Sequence, residues 1–202
     1  MKKNLLTKLI LVASVFGLTI TTAGANIDDL KFYAGAGVDY TKYGIDKTTF
    51  KKAKVQTTGI GLLAPILGIK VCDNIGLEAG YSFNKSIKVS GKRKQQITFK
   101  VNNVYLDLMG FIPIIEQADA ILGIGISKLM LKKGKNISSE MEIKNKLNWR
   151  AKLGAQYNIT GNFAVRALLS YQNIGNKLKG ADQERKFIKN MKSLGLSAIW
   201  TF

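Results

Sequence analysis

The stretch Ile75–Asn84, IGLEAGYSFN, alternates between two kinds of residue. Ile75, Leu77, Ala79, Tyr81 and Phe83 are apolar or aromatic; Gly76, Glu78, Gly80, Ser82 and Asn84 are small or polar. Successive side chains on a strand point to opposite faces, so this stretch makes one apolar face and one small-polar face. The same split recurs along the chain. Phe32, Ala34, Ala36, Val38 and Tyr40 oppose Tyr33, Gly35, Gly37, Asp39 and Thr41. Val104, Leu106 and Leu108 oppose Asn103, Tyr105, Asp107 and Met109, and Leu122, Ile124 and Ile126 oppose Gly123, Gly125 and Ser127. Trp149, Ala151, Leu153, Ala155 and Tyr157 oppose Arg150, Lys152, Gly154 and Gln156. Phe163, Val165, Ala167, Leu169 and Tyr171 oppose Ala164, Arg166, Ser170 and Gln172. Leu194, Leu196, Ala198, Trp200 and Phe202 oppose Gly195, Ser197 and Thr201. Between Gln56 and Val71 the split is less clean, and Pro65 marks a bulge or a strand end there.

Counting that stretch gives eight strands. The second, fourth and sixth are followed by short turns at Cys72–Asn74, Glu116–Asp119 and Thr160–Asn162, and the others by long polar loops. The pattern predicts an all-β fold: an eight-stranded antiparallel up-and-down transmembrane β-barrel, with short periplasmic turns and long extracellular loops. A soluble barrel would place its apolar face inside. Here the apolar face also carries aromatics at two levels: Tyr40, Phe83, Trp149 and Tyr171 toward the loops, and Phe32, Tyr157, Phe163, Trp200 and Phe202 toward the turns. Two aromatic belts on one face mark two membrane interfaces.

The small-polar face then lines a narrow lumen. Arg150, Lys152 and Arg166 fall on it, as do Asp39, Glu78 and Asp107. Buried charges are costly unless paired, so these six are expected to converge into an ion-paired network that plugs the barrel. An ion or proton path is the functional alternative for the same residues.

Residues 1–25 have a different character. A basic start precedes an apolar run, Leu9–Ile20, and the segment ends Ala23-Gly24-Ala25. This is the three-part form of a cleaved secretory signal peptide, leaving residues 26–202 as the barrel domain. No segment of the mature chain is apolar for the roughly 18 residues that a membrane helix requires.

The chain's net charge of +18 is unevenly distributed. Removing the signal lysines at 2, 3 and 8 leaves +15. The loop regions 42–54, 85–100, 128–146 and 177–192 carry +4, +6, +4 and +4, so the remainder of the mature chain is −3. The turn end carries Asp28, Asp29, Asp73, Glu116 and Asp119 against Lys31 and Lys70. Clustered loop cations attract lipopolysaccharide phosphates, sulfated glycans or acidic proteins. The candidate ligand contacts are Lys51, Lys52, Lys92, Arg93, Lys94, Lys132, Lys133, Lys135, Arg185 and Lys186. No nucleic-acid-binding module is present.

The sequence contains no histidine, which removes the commonest general base and every Ser-His or Cys-His nucleophile pair. Its one cysteine, Cys72, can form neither an intrachain disulfide nor a thiolate metal cluster. Neither an enzyme, nor a cofactor, nor a metal site is expected.

The signal segment, the eight alternating segments and the ending Ala198-Ile199-Trp200-Thr201-Phe202 resemble the small outer-membrane β-barrel family of the OmpA barrel, OmpX and opacity-type proteins. Gly154–Asn162 resembles the strand-turn-strand near the end of such barrels. The resemblance implies an outer-membrane location with termini in the periplasm, and recognition of Phe202 by the barrel-assembly machinery. It also implies a role among lysine-rich surface antigens and adhesins of intracellular bacteria, whose loops bind host proteins. Barrel enzymes of this membrane use histidine, and this chain has none. Three functions follow as expectations: an adhesin that binds a host protein or glycan, a structural barrel bracing lipopolysaccharide, or a small channel.

Overall fold

The computed structural model describes residues 30–45, 54–55, 58–90, 96–133, 142–144, 146–174, 177–179, 184–186 and 188–202. Eight long strands form a closed ring. They are β1 (Lys31–Ile45), β3 (Thr58–Cys72), β4 (Ile75–Ser90), β5 (Gln96–Ile115), β6 (Ala118–Lys133), β8 (Leu147–Asn158), β9 (Phe163–Asn173) and β12 (Ile188–Thr201). Each pairs antiparallel with its chain neighbour, and β1 pairs with β12 to close the barrel. Short strands lie on the loop side: β2 (Lys54–Val55) pairs with β4, while β7 (Glu142–Lys144), β10 (Lys177–Lys179) and β11 (Glu184–Lys186) form a separate sheet. Closure leaves the ring no unpaired edge, which a backbone in lipid requires.

The turn end is tight. Asp73-Asn74 joins β3 to β4, and Glu116-Gln117 joins β5 to β6. In the third turn Thr160 Oγ1 accepts backbone N–H groups of Asn162 at 3.4 Å and Phe163 at 3.0 Å, a local hydroxyl cap.

The uneven stretch around Pro65 is a bulge inside one continuous strand. Leu63 and Ile66 of β3 face Gly37 and Gly35 of β1, and Ser82 and Gly80 of β4. Three steps along β3 thus match two on both neighbours. The extra residue reverses the facing of everything after it. Ile60 and Leu62 point outward before the bulge; Leu67 points outward and Ile66 inward after it.

Along the strands, the exposed apolar side chains form the outer wall and the buried residues fill the lumen in layers. At the turn end the filling is apolar: Tyr33, Ile66, Ala164 and Ile199 form one cluster, and Met109, Phe111, Ile121 and Leu168 another. The charged residues lie above it. Thr41, Ser82, Asn103, Ser127, Gln172 and Ser193 are buried nearer the loops, and Tyr43, Val101, Leu129, Ile188 and Met191 close the upper lumen. No helix among the described residues is long and apolar enough to cross a membrane.

Candidate functional site

Glu78 is the hub of the lumen. It enters from β4 beneath Gly80, and its carboxylate accepts from four side chains. Lys152 Nζ donates at 2.8 Å, Tyr33 Oη at 3.2 Å and Tyr105 Oη at 3.4 Å, and Arg166 Nη1 completes the set. Lys152 also bridges to Asp107 Oδ2 at 2.6 Å, and Arg150 Nε lies 3.4 Å from Asp107 Oδ1. Arg166 is held from its other side, because Nε and Nη2 donate to Gln156 Oε1 at 3.1 and 2.8 Å. Five of the six charges expected on the small-polar face are therefore linked into one chain.

Asp39 departs from that expectation. Among the described residues it forms no ion pair; Thr41 Oγ1 donates to it at 3.0 Å and Ser82 Oγ at 3.3 Å. Its cross-strand partners are Gly61 and Gly195, so hydroxyls rather than cations reach it. A cavity of about 30 Å³ lies between Asp39, Ser82, Asn103, Tyr105 and Arg150. That is room for a bridging water, which needs at least about 10–15 Å³ and two or more polar partners. Arg150 Nη1 borders this region without a protein hydrogen-bond partner among the described residues.

The two tyrosines explain two of the inward glycines. Tyr33 sits opposite Gly68 and Tyr105 opposite Gly80 in the strand register. A Cβ at either glycine would collide with the tyrosine ring. The missing side chains let both rings lie across the sheet and aim their hydroxyls at Glu78. The Tyr105 ring then also receives Arg150 and Lys152, each 4.1 Å from its centroid. Substituting Gly80→Val should displace Tyr105 and lower stability by about 1–3 kcal/mol. Urea unfolding followed by the gel shift between folded and boiled protein measures it; an unchanged midpoint would show that the ring is not held there.

Sequence reasoning placed Tyr33 and Tyr105 on the inner face but assigned them no partner. Leu168 went unassigned because it interrupts the polar face of β9. The structure buries it opposite Gly154 and Gly195, where two small neighbours leave space for a large side chain.

Of the candidate ligand contacts, Lys51, Lys52, Lys92, Arg93, Lys94 and Lys135 lie outside the described residues. Lys132 and Lys133 occupy the loop end of β6, and Arg185 and Lys186 belong to β11. In the loop sheet, Lys144, Lys177 and Lys186 share one register row, and Glu142, Lys179 and Glu184 share another.

The aromatic side chains named above lie on the outer wall. Trp149 and Tyr171 pack at 5.6 Å on the loop side, and Phe163 and Trp200 at 6.1 Å on the turn side; Phe202 is exposed at the chain end. At the turns, Lys31 Nζ donates to Asp73 Oδ1 at 2.9 Å, and that contact holds the Asp73 carboxyl below the usual carboxylate range. No cluster of potential metal ligands occurs among the described residues.

Comparison with known proteins gives the same architecture. Neisserial surface protein A is 13% identical, with a TM-score of 0.62 over 85% of this chain and 97% of its own. The outer membrane protein OprG from Pseudomonas aeruginosa is 15% identical, with a TM-score of 0.61 over 85% and 95%. AlkL, solved in lipid bilayers, is 15% identical, with a TM-score of 0.52 over 86% and 89%. No curated protein matches the sequence. The model of the outer membrane protein beta-barrel domain matches residues 10–202, nearly the whole chain, and the chain belongs to that family of outer-membrane barrels.

Proposed function

We propose that residues 1–25 are removed on export, and that residues 26–202 form a non-enzymatic surface barrel whose basic loops bind an anionic partner, a host protein or sulfated glycan, as an adhesin. The barrel-assembly machinery would receive it through Phe202, leaving both termini in the periplasm and the loops at the cell surface. The observation that carries this reading is the segregation of charge. The loop regions hold +18 and the rest of the mature chain −3, although a merely lysine-rich composition would spread cations over both ends. The loop sheet brings Lys144, Lys177 and Lys186 to one backbone register row, in keeping with that segregation. The layered lumen also supports a binding role over a conducting one, since its charges are largely spent on each other.

The test is binding by refolded 26–202 in detergent to heparan sulfate fragments and serum glycoproteins, at low and physiological salt. Saturable binding to one of them should survive physiological salt. Reversing Lys92→Glu, Arg93→Glu and Lys94→Glu together should weaken it roughly tenfold or more, about 1.4 kcal/mol. Weak binding to every anion, lost together as salt screens the charges, would sink the adhesin reading.

A further inference from the structure

We infer that the outer wall of the barrel carries a site for one phosphorylated glycolipid of the outer leaflet, with Lys42 and Lys192 as the phosphate contacts. The site lies on the barrel wall, beyond the loops proposed to bind a soluble partner. It rests on that reading only for the direction in which the loop end points.

Two register rows build it. In the upper row Lys42 of β1 faces Lys192 of β12, which faces Tyr171 of β9, which faces Ala151 of β8. In the row beneath, Tyr40 faces Leu194, Leu194 faces Leu169, and Leu169 faces Leu153. Both lysines are exposed on the apolar side of the wall, flanked along their strands by buried inward residues: Thr41 and Tyr43 for Lys42, Met191 and Ser193 for Lys192. Among the described residues neither has an ion-pair partner. Two ammonium groups directly opposite each other across an antiparallel pair repel. A phosphate between them turns that repulsion into two charge-assisted contacts.

The space beneath them is an open apolar groove. A groove of about 490 Å³ opens on the wall, and both lysines, Tyr40 and Tyr171 border it. Its apolar lining is supplied by Leu153, Leu169 and Leu194, with Ala151 too short to fill the upper row. The volume falls in the roughly 300–1,000 Å³ range of small-molecule sites. Trp149 packed at a tilt against Tyr171 puts this edge at the height of the loop-side aromatic belt. A soluble polyanion could reach the lysines but not the groove below the belt. The occupant that satisfies both is an amphiphile with an anionic head, and in the leaflet on the loop side that is a phosphorylated glycolipid.

The test uses refolded 26–202 in neutral detergent, with lipid A, dephosphorylated lipid A or phosphatidylglycerol added as probes. Retained lipid is counted by native mass spectrometry. One lipid A per barrel should be retained, with at least tenfold weaker retention of both other lipids. Lys42→Ala with Lys192→Ala should reduce lipid A retention at least tenfold while the boiled-to-folded gel shift persists. Should that variant fail to fold, Ala151→Trp, which fills the upper groove from outside, must give the same loss. The Lys92, Arg93 and Lys94 reversal should leave lipid A retention unchanged, which separates this site from the loop-binding reading. Equal retention of phosphatidylglycerol, or undiminished lipid A retention by a folded variant of either kind, would overturn the inference.

Discussion

Replacing Glu78 with glutamine should cost the folded barrel about 3–5 kcal/mol, the penalty typical of breaking a buried ion pair from one side. The variant keeps the side-chain shape and removes only the charge. Arg166 is almost wholly buried, and its one carboxylate partner among the described residues is Glu78. Lys152 retains Asp107 at 2.6 Å, so the uncompensated charge resides mainly on Arg166. The cost should therefore be largely relieved by a second change: Arg166→Met in the Glu78→Gln background should cost much less than the sum of the two single changes, with a coupling within about 0.5–3 kcal/mol. Urea titration in detergent, scored by the fraction of protein keeping its folded gel mobility, gives all three values. A single-variant loss below about 1 kcal/mol would show that water enters the network and screens it.

Substituting Ile124→Arg should destabilise the barrel in a bilayer by about 2–4 kcal/mol, the cost of a lipid-facing cation near mid-depth. Ile124 is 66% exposed on the wall, between Leu108 and Ala151. On a protein surrounded by water, an arginine at so open a position would be close to neutral. The same change at Leu147, 65% exposed but at the loop end of β8, should cost only about 0–1 kcal/mol. Unfolding from phosphatidylcholine vesicles compares the two. Equal costs at 124 and 147 would mean that the exposed apolar band is not graded by membrane depth.

The wall was legible from the chain because its cause is local. Ile75–Asn84 alternates in sequence as it does in space, and no distant contact is needed to decide which side Leu77 or Glu78 takes. The tight turns at Asp73-Asn74 and Glu116-Gln117 were legible for the same reason. The legibility fails where one strand's geometry depends on its neighbours. Pro65 announced an irregularity, but only pairing with both β1 and β4 shows that one extra residue is absorbed there and that Ile66 therefore faces inward. Leu168 fills a gap that Gly154 and Gly195 leave from two other strands. Asp39 was counted with the ion pairs because its face was known and its height relative to the cations was not.

The amino-acid sequence by itself determined the β class, the strand number, the lipid-facing side and the separation of basic loops from an acidic turn end. Each follows from periodicity, spacing or charge along the chain. The tertiary structure alone decided which groups meet. Glu78 gathers donors from β1, β5, β8 and β9, and Lys42 meets Lys192 because the first and last strands close the ring. Those meetings depend on register, and register in a closed barrel is set by the stagger of all its strands together.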